Sequence, residues 1–291
     1  MVDSRRNSPA DWLLRALALS RATGAPVLAC VAGLRHAASS PRSFTLGFAS
    51  PPAPQRLGLV EIAMLADFAL GGALRRRLGR TRPLPTLSLT LDLTGSPGAA
   101  GATLAEVGDI AVADDGIGTA AGVIRSENLV LGHCSAAFAV PSRGSQAELP
   151  WDSPDSATHP SVDLGELTPA ERSLLTSARS AADTGRSWAD QVISDATVDE
   201  RGTTVLVPSE VMTNRAGAVQ GGVLFAAAAR CGAPTARLVS GTMRFLAGVS
   251  AAKPIVLEPT VEHTTRRTRF THVRLRQDGS VCAVAGLVHR R

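Results

Sequence analysis

Between Val211 and Arg230 the chain brings together residue types suited to stabilising charge. Asn214, Gly217, Gln220, Gly221 and Gly222 occupy a turn-forming loop that runs into a helix of small apolar residues. Gly221 and Gly222 carry no side chain, so a ligand can approach the backbone closely there. The first N–H groups of a helix lack intrahelical partners and sit at the positive end of its dipole. A helix that opens at the Gly-Gly step therefore suits a developing negative charge, such as an oxyanion. The competing reading of these residues is an ordinary buried alanine helix with a flexible entry.

Other chemistries find less support. There is no G-x-S-x-G nucleophile elbow and no Walker lysine. His36, His133, His159, His263, His272 and His289 are scattered without metal-ligand spacing and read as strand or surface histidines. Cys30, Cys134, Cys231 and Cys282 lie far apart and lack C-x-x-C spacing, which argues against a zinc site or a disulfide framework. Asp114-Asp115-Gly116-Ile117-Gly118 approaches a dinucleotide fingerprint, but strand patterns flank it and no helix opens there, so it reads as a hairpin turn. No metal and no cofactor is expected.

The elements that must position the Gly-Gly loop come in two similar series. Gly58–Leu74 is a second nearly all-apolar helix, interrupted by Asp67. An alternating strand follows each long helix, over 86–94 and 238–246. An amphipathic helix and β-rich segments precede each. Pro9–Arg21 and Leu164–Asp183 are those leading helices, the second opening with Thr168-Pro169-Ala170-Glu171. Strands are predicted at 27–34, 43–48, 85–94, 103–112, 117–125 and 131–140, then at 190–197, 203–207, 255–264, 267–276 and 281–289, with Gln277-Asp278-Gly279-Ser280 as the last hairpin. The Arg75-Arg76-Arg77 run falls at a helix C-terminus, where cations are favoured, and reads as a solvated end, with phosphate binding as the alternative. A diverged internal repeat of this kind implies two tandem units. The boundaries read as an N-terminal domain over 1–140, a Ser/Pro/Asp-rich linker over 141–163, and a C-terminal domain over 164–291.

The chain has 291 residues, 44% of them hydrophobic, enough for two cores of ordinary size. Its formal charge is +5 and Lys253 is its single lysine, so the positive charge is nearly all arginine. Only 3% aromatics and no tyrosine leave no stacking platform for nucleic acid. No apolar run is long enough to span a membrane, and arginines at 15 and 21 break the only signal-like stretch. Neither a nucleic-acid nor a membrane partner is expected. The free cysteines suit a reducing cytoplasm.

Asn214-x-x-Gly217-x-x-Gln220-Gly221-Gly222, followed by a buried helix and an alternating strand, resembles the hot-dog fold acyl-CoA thioesterases, in particular the group with phenylacetyl-CoA and 4-hydroxybenzoyl-CoA thioesterases. The resemblance implies an α+β fold of two tandem hot-dog domains, each a curved antiparallel sheet wrapped around a long helix. It also implies thioester hydrolysis, with acyl-CoA as the substrate partner and assembly into larger homo-oligomers left open. Where the family carries His before Gly-Gly, this chain has Gln220, and where its acid stands, Ala229. The N-terminal half does the reverse: it carries Asp67 at the acid position, but Pro52 and Gly58 replace the Asn and His.

In the family the site is shared between two hot dogs. The resemblance therefore implies one composite site of Asn214, Gln220 and Gly221 with Asp67. Gly221 would hold the thioester oxygen, Asp67 would act as base or nucleophile, and Asn214 would orient water or the acyl carbonyl. Gln220 can donate a hydrogen bond but cannot carry a proton. Gly217, Gly222, Thr86 and Ser88 would lie on the substrate side. The opposite interface, around Gly58 and Ala229, is expected to hold no carboxylate facing a helix N-terminus. Gly72, where hot-dog hydratases have a His, disfavours dehydration. The rival from another class is a non-catalytic acyl-CoA or acyl-carrier binding or sensing protein with a degenerate site.

Overall fold

The structure is a computed structural model that describes residues 8–49, 57–95, 103–113, 115–126, 129–154, 160–184, 187–200 and 203–291. Pro52 and Asp114 lie outside them. The helices are α1 (Pro9–Thr23), α2 (Val27–Val31), α3 (Leu59–Leu78), α4 (Pro169–Thr184), α5 (Trp188–Asp195) and α6 (Gly221–Gly232). The strands are β1 (Leu34–Ser39), β2 (Phe44–Phe48), β3 (Thr86–Leu93), β4 (Thr103–Val112), β5 (Ile117–Ser126) and β6 (Leu129–Ala139) in the first half. In the second they are β7 (Thr197–Glu200), β8 (Thr203–Leu206), β9 (Arg237–Phe245), β10 (Ile255–Thr264), β11 (Thr268–Gln277) and β12 (Ser280–Arg290).

All twelve strands of the described residues join one antiparallel sheet in the order β1-β2-β4-β5-β6-β3-β9-β12-β11-β10-β8-β7. Outward from the central β3–β9 pair, the two halves repeat the same order of elements, β3-β6-β5-β4-β2-β1 answering β9-β12-β11-β10-β8-β7. Two hot-dog sheets therefore meet edge to edge, with Leu89 opposite Met243 and Leu91 opposite Gly241 at the join. Each edge covers the other, so neither leaves unpaired backbone there. The alternation in β3 turns Leu89, Leu91 and Leu93 inward.

Each half-sheet wraps one long helix, and α3 and α6 pack on each other. Their crossing needs Gly222: a Cβ at that position would lie 2.9 Å from both the backbone N and Cγ of Met64. Both helices are apolar nearly all round because a sheet and a partner helix enclose them.

Two predicted strands are helices. Val27–Val31 forms α2, which starts after Pro26; Gly33, at φ 77°, then turns the chain into β1. The Trp12 indole N–H holds this corner by donating to the Val31 carbonyl at 2.8 Å. Residues 190–195 belong to α5, which Ser187 caps by accepting from Asp190 N at 3.0 Å. The buried set Trp188, Ala189, Val192 and Ile193 follows a helical period rather than an alternating one. The expected hairpin at Asp278-Gly279 is present, with positive φ at both residues, 52° and 78°.

The described part of the 141–163 segment has no helix or strand, yet it does more than connect. Trp151 is fully buried and packs edge-on against Phe68 at 5.0 Å between ring centroids. Asp152, 1% exposed, reaches the C-terminal part of α3. The Arg75 charge is therefore not a solvated helix end: Nε and Nη2 form a buried bidentate pair with Asp152 at 2.7 and 3.0 Å. Arg76 and Arg77 are exposed, as expected of such an end.

Candidate active site

Asp67 sits midway along α3, part-buried, and faces a cavity of about 390 Å³. The Thr86 hydroxyl, at the start of β3, donates to its Oδ1 at 2.8 Å. Burial pushes the Asp67 carboxyl up to about 6, with the Thr86 hydrogen bond and the Arg75 charge each holding it down in part. An acid with that pKa is mostly ionised at neutral pH yet retains useful basicity.

The cavity's other wall comes from the C-terminal half. The loop before α6 is built by its own hydrogen bonds: Asn214 Oδ1 accepts from Ala216 N at 2.9 Å and Ala218 N at 3.2 Å, and Gly217 takes φ 75° to close the turn. Val219 N then donates to the Val249 carbonyl at 2.7 Å and Gln220 N to Met212 at 2.9 Å, which fixes the entry to the helix. Gln220 is the N-cap of α6, but its side chain makes no capping bond. It is 2% exposed, and among the described residues neither its Nε2 nor its Oε1 has a partner. A buried primary amide without partners is costly, and a bound polar group would relieve that cost. A side chain on Gly221 would run into the Phe245 ring, 3.0 Å from the ideal Cβ position.

Asp67, Thr86, Asn214, Gln220 and Gly221 therefore line one cavity, together with Phe68, Phe138 and Phe245. The other three residues expected on the substrate side do not line it. Gly222 is a packing glycine against α3, and Gly217 shapes the loop. Ser88 lies in a separate surface depression formed by β3, β4, β5 and β6. Asn214 spends its carbonyl oxygen on the turn, so only its amide N–H groups remain to meet a ligand.

The opposite interface corrects an expectation. A cavity of about 320 Å³ lies around Gly58 and Ala229, but a carboxylate does face the helix N-terminus there. It is Asp190, from α5, whose Oδ1 accepts from Val60 N at 3.4 Å and which occupies the space a Gly58 side chain would fill. Glu61 completes the cap, accepting from Gly58 N at 3.0 Å while also receiving the Ser187 hydroxyl and Ala189 N. Burial and the nearby Asp190 charge push the Glu61 carboxyl up; burial likewise raises Asp190, with the Arg230 charge opposing it. The start of α3 is thus satisfied internally, whereas no side chain among the described residues caps the start of α6. His289, expected among strand or surface histidines, is a buried strand residue at 1% exposure; its Nε2 meets the Ala229 carbonyl at 3.0 Å and burial lowers its pKa.

Sequence reasoning missed Arg215 and Phe245 in the cavity lining and the Asp152 partner that holds Arg75 there. Only tertiary packing brings the 141–163 segment to α3 and residues 245–249 to the cavity. Among the described residues no group of His, Cys, Asp or Glu could hold a metal ion, and no helix is long and apolar enough to cross a membrane.

The fold and the paired helix starts define a double hot-dog protein. Residues 212–290 match the family model described as acyl-CoA thioesterase N-terminal domain, which here is the C-terminal half. Among solved structures, the chain resembles an acyl-ACP thioesterase from Bacteroides thetaiotaomicron, with a TM-score of 0.52 and 11% identity over 85% of this chain and 96% of that one. It also resembles the 12:0-ACP thioesterase from Umbellularia californica, with a TM-score of 0.50 and 12% identity over 86% of this chain and 94% of that one. These likenesses establish the fold. A comparison with curated proteins finds no match in sequence.

Proposed function

We propose that the protein is an acyl-CoA thioesterase with one composite site, in which Asp67 and Thr86 from the N-terminal hot dog act with Gln220 and Gly221 from the C-terminal one. The observation that carries this reading is the Gln220 amide, buried without a partner among the described residues, in the same cavity as a carboxylate of raised pKa. In this reading Asp67 takes a proton from water, which Gln220 and Thr86 help to hold, as its oxygen bonds to the thioester carbon. The Gly221 N–H at the open helix start receives the oxyanion, a contribution of about 3 kcal/mol per donor in known cases. The intermediate then collapses with cleavage of the C–S bond, and the Asp67 proton passes to the departing thiolate. The products are a carboxylic acid and a free thiol. The helix start at Gly58 is closed by Asp190 and Glu61, which supports a single site per chain.

Thiol release from a panel of acyl-CoA and acyl-carrier substrates tests the proposal. At least one substrate should be turned over by the wild type, and Gln220→Leu, which keeps the volume but removes the amide, should slow it. Binding without any turnover across the panel would favour the rival reading of an acyl-CoA sensor.

A further inference from the structure

The same cavity has a polar end that hydrolysis does not use. Asp67, Gly71 and Arg75 are spaced four residues apart and line it from one face of α3. Gly71 makes room for the guanidinium, since a Cβ at that position would stand only 3.3 Å from Arg75 Nη1. The guanidinium thus lies back along the helix toward Asp67, which is about 6 Å of helical rise from Gly71. Arg75 is 6% exposed; Asp152 holds its Nε and Nη2, and no hydrogen bond from Nη1 is seen among the described residues.

Arg215, half-buried on the loop after Asn214, lines the cavity too, and the hydrogen bond seen for it goes only to the Ala147 carbonyl. Burial and the Arg75 charge hold its pKa below the usual arginine value, with Asp152 partly opposing. Two guanidinium groups therefore stand at this end: Asp152 pairs with Arg75, and no carboxylate pairs with Arg215 among the described residues. The remaining ionisable residue of the lining, Asp67, feels the Arg75 charge but spends a carboxylate oxygen on the Thr86 hydroxyl at the hydrolytic end. An arginine in a protein does not escape by losing its proton, so a half-buried guanidinium without a carboxylate partner suits an anion.

We infer that Arg75 and Arg215 select acyl thioesters whose acyl group ends in a carboxylate, with the thioester carbonyl at Gly221 and the terminal carboxylate between the two guanidinium groups. This inference rests on the thioesterase reading for its choice of ligand. The short span from Asp67 to Arg75 Nη1, and a cavity near the small end of the ligand-pocket range of about 300–1,000 Å³, set a short dicarboxylic acyl chain. A guanidinium pair could equally meet a phosphate of CoA, and the experiment separates the two.

Non-hydrolysable thioether analogues of glutaryl-CoA and pentanoyl-CoA share chain length and CoA and differ at the terminal group. Calorimetric titration of the wild type should show the glutaryl analogue binding at least about tenfold tighter, the effect of one charge-assisted pair. Arg215→Gln should bring that ratio close to one, and Arg75→Lys, which keeps a cation against Asp152 but loses the fork, should reduce it. Equal affinities in the wild type would overturn the inference. So would an Arg215→Gln loss that is equal for both analogues, because that assigns the arginine to a CoA phosphate. A glutaryl preference without hydrolysis of either true thioester would remove the hydrolytic reading and leave the carboxylate site standing; hydrolysis of both with equal analogue affinities would do the reverse.

Discussion

If Asp67 is the base, turnover must follow its ionisation. With a carboxyl near 6, about 90% of the protein carries the active carboxylate at pH 7 and about 10% at pH 5, so kcat should fall about tenfold between them. The sign follows from the role: a base works deprotonated, so activity rises with pH and half its maximum comes near the Asp67 pKa. Thr86→Val tests the cause. It keeps the shape of the side chain but removes the one hydroxyl that donates to Asp67. A hydrogen bond to a charged group is worth about 1.5–3 kcal/mol, part of which water replaces in an open cavity. The half-maximum should therefore move upward by about one unit. Asp67→Asn should lower the plateau at least about 100-fold and abolish this acid limb. The assay is thiol release at saturating substrate in buffers of constant ionic strength, with folding checked at each pH. A profile with its midpoint at the ordinary aspartate value, or a Thr86→Val midpoint that moves downward, would refute the reasoning.

Three other substitutions follow from the packing. Gly222→Ala forces a Cβ to 2.9 Å from the Met64 backbone N, which the helix cannot easily yield, so stability should drop by about 1–3 kcal/mol in denaturant unfolding. Arg75→Met leaves Asp152 buried without its partner and should cost about 3–5 kcal/mol, most of it recovered by adding Asp152→Leu; no recovery would show that the pair is not the cause. Asp190→Asn alters only the closed helix start, so turnover per folded molecule should stay at the wild-type level; a large loss would mean that the second interface takes part in the chemistry.

The long helices, the antiparallel strands and their repeat were legible because burial imposes periodicity. The alternation of Leu89, Leu91 and Leu93 and the all-round apolarity of Gly221–Gly232 are local signals. The loop residues Asn214, Gln220 and Gly221 and the acid Asp67 stood out through the spacing that resembles the hot-dog motif, not through periodicity. What sequence did not reveal depends on distant partners. Trp188–Asp195 mixes apolar and polar residues in a way that fits a strand until Ser187 is recognised as a cap. Arg75 reads like Arg76 and Arg77, and only the arrival of Asp152 from a segment without periodicity separates a buried ion pair from a solvated end. Gly222 and Gly221 look alike in sequence, yet one meets α3 and the other the cavity.

The composite site itself is tested most directly by titrating the Asp67→Asn protein with a true acyl-CoA substrate while following thiol release. The account predicts saturable binding at one site per chain, with affinity close to that of a non-hydrolysable analogue on the wild type, and thiol release reduced at least about 100-fold. Two equivalent sites per chain, or hydrolysis at the wild-type rate, would contradict it.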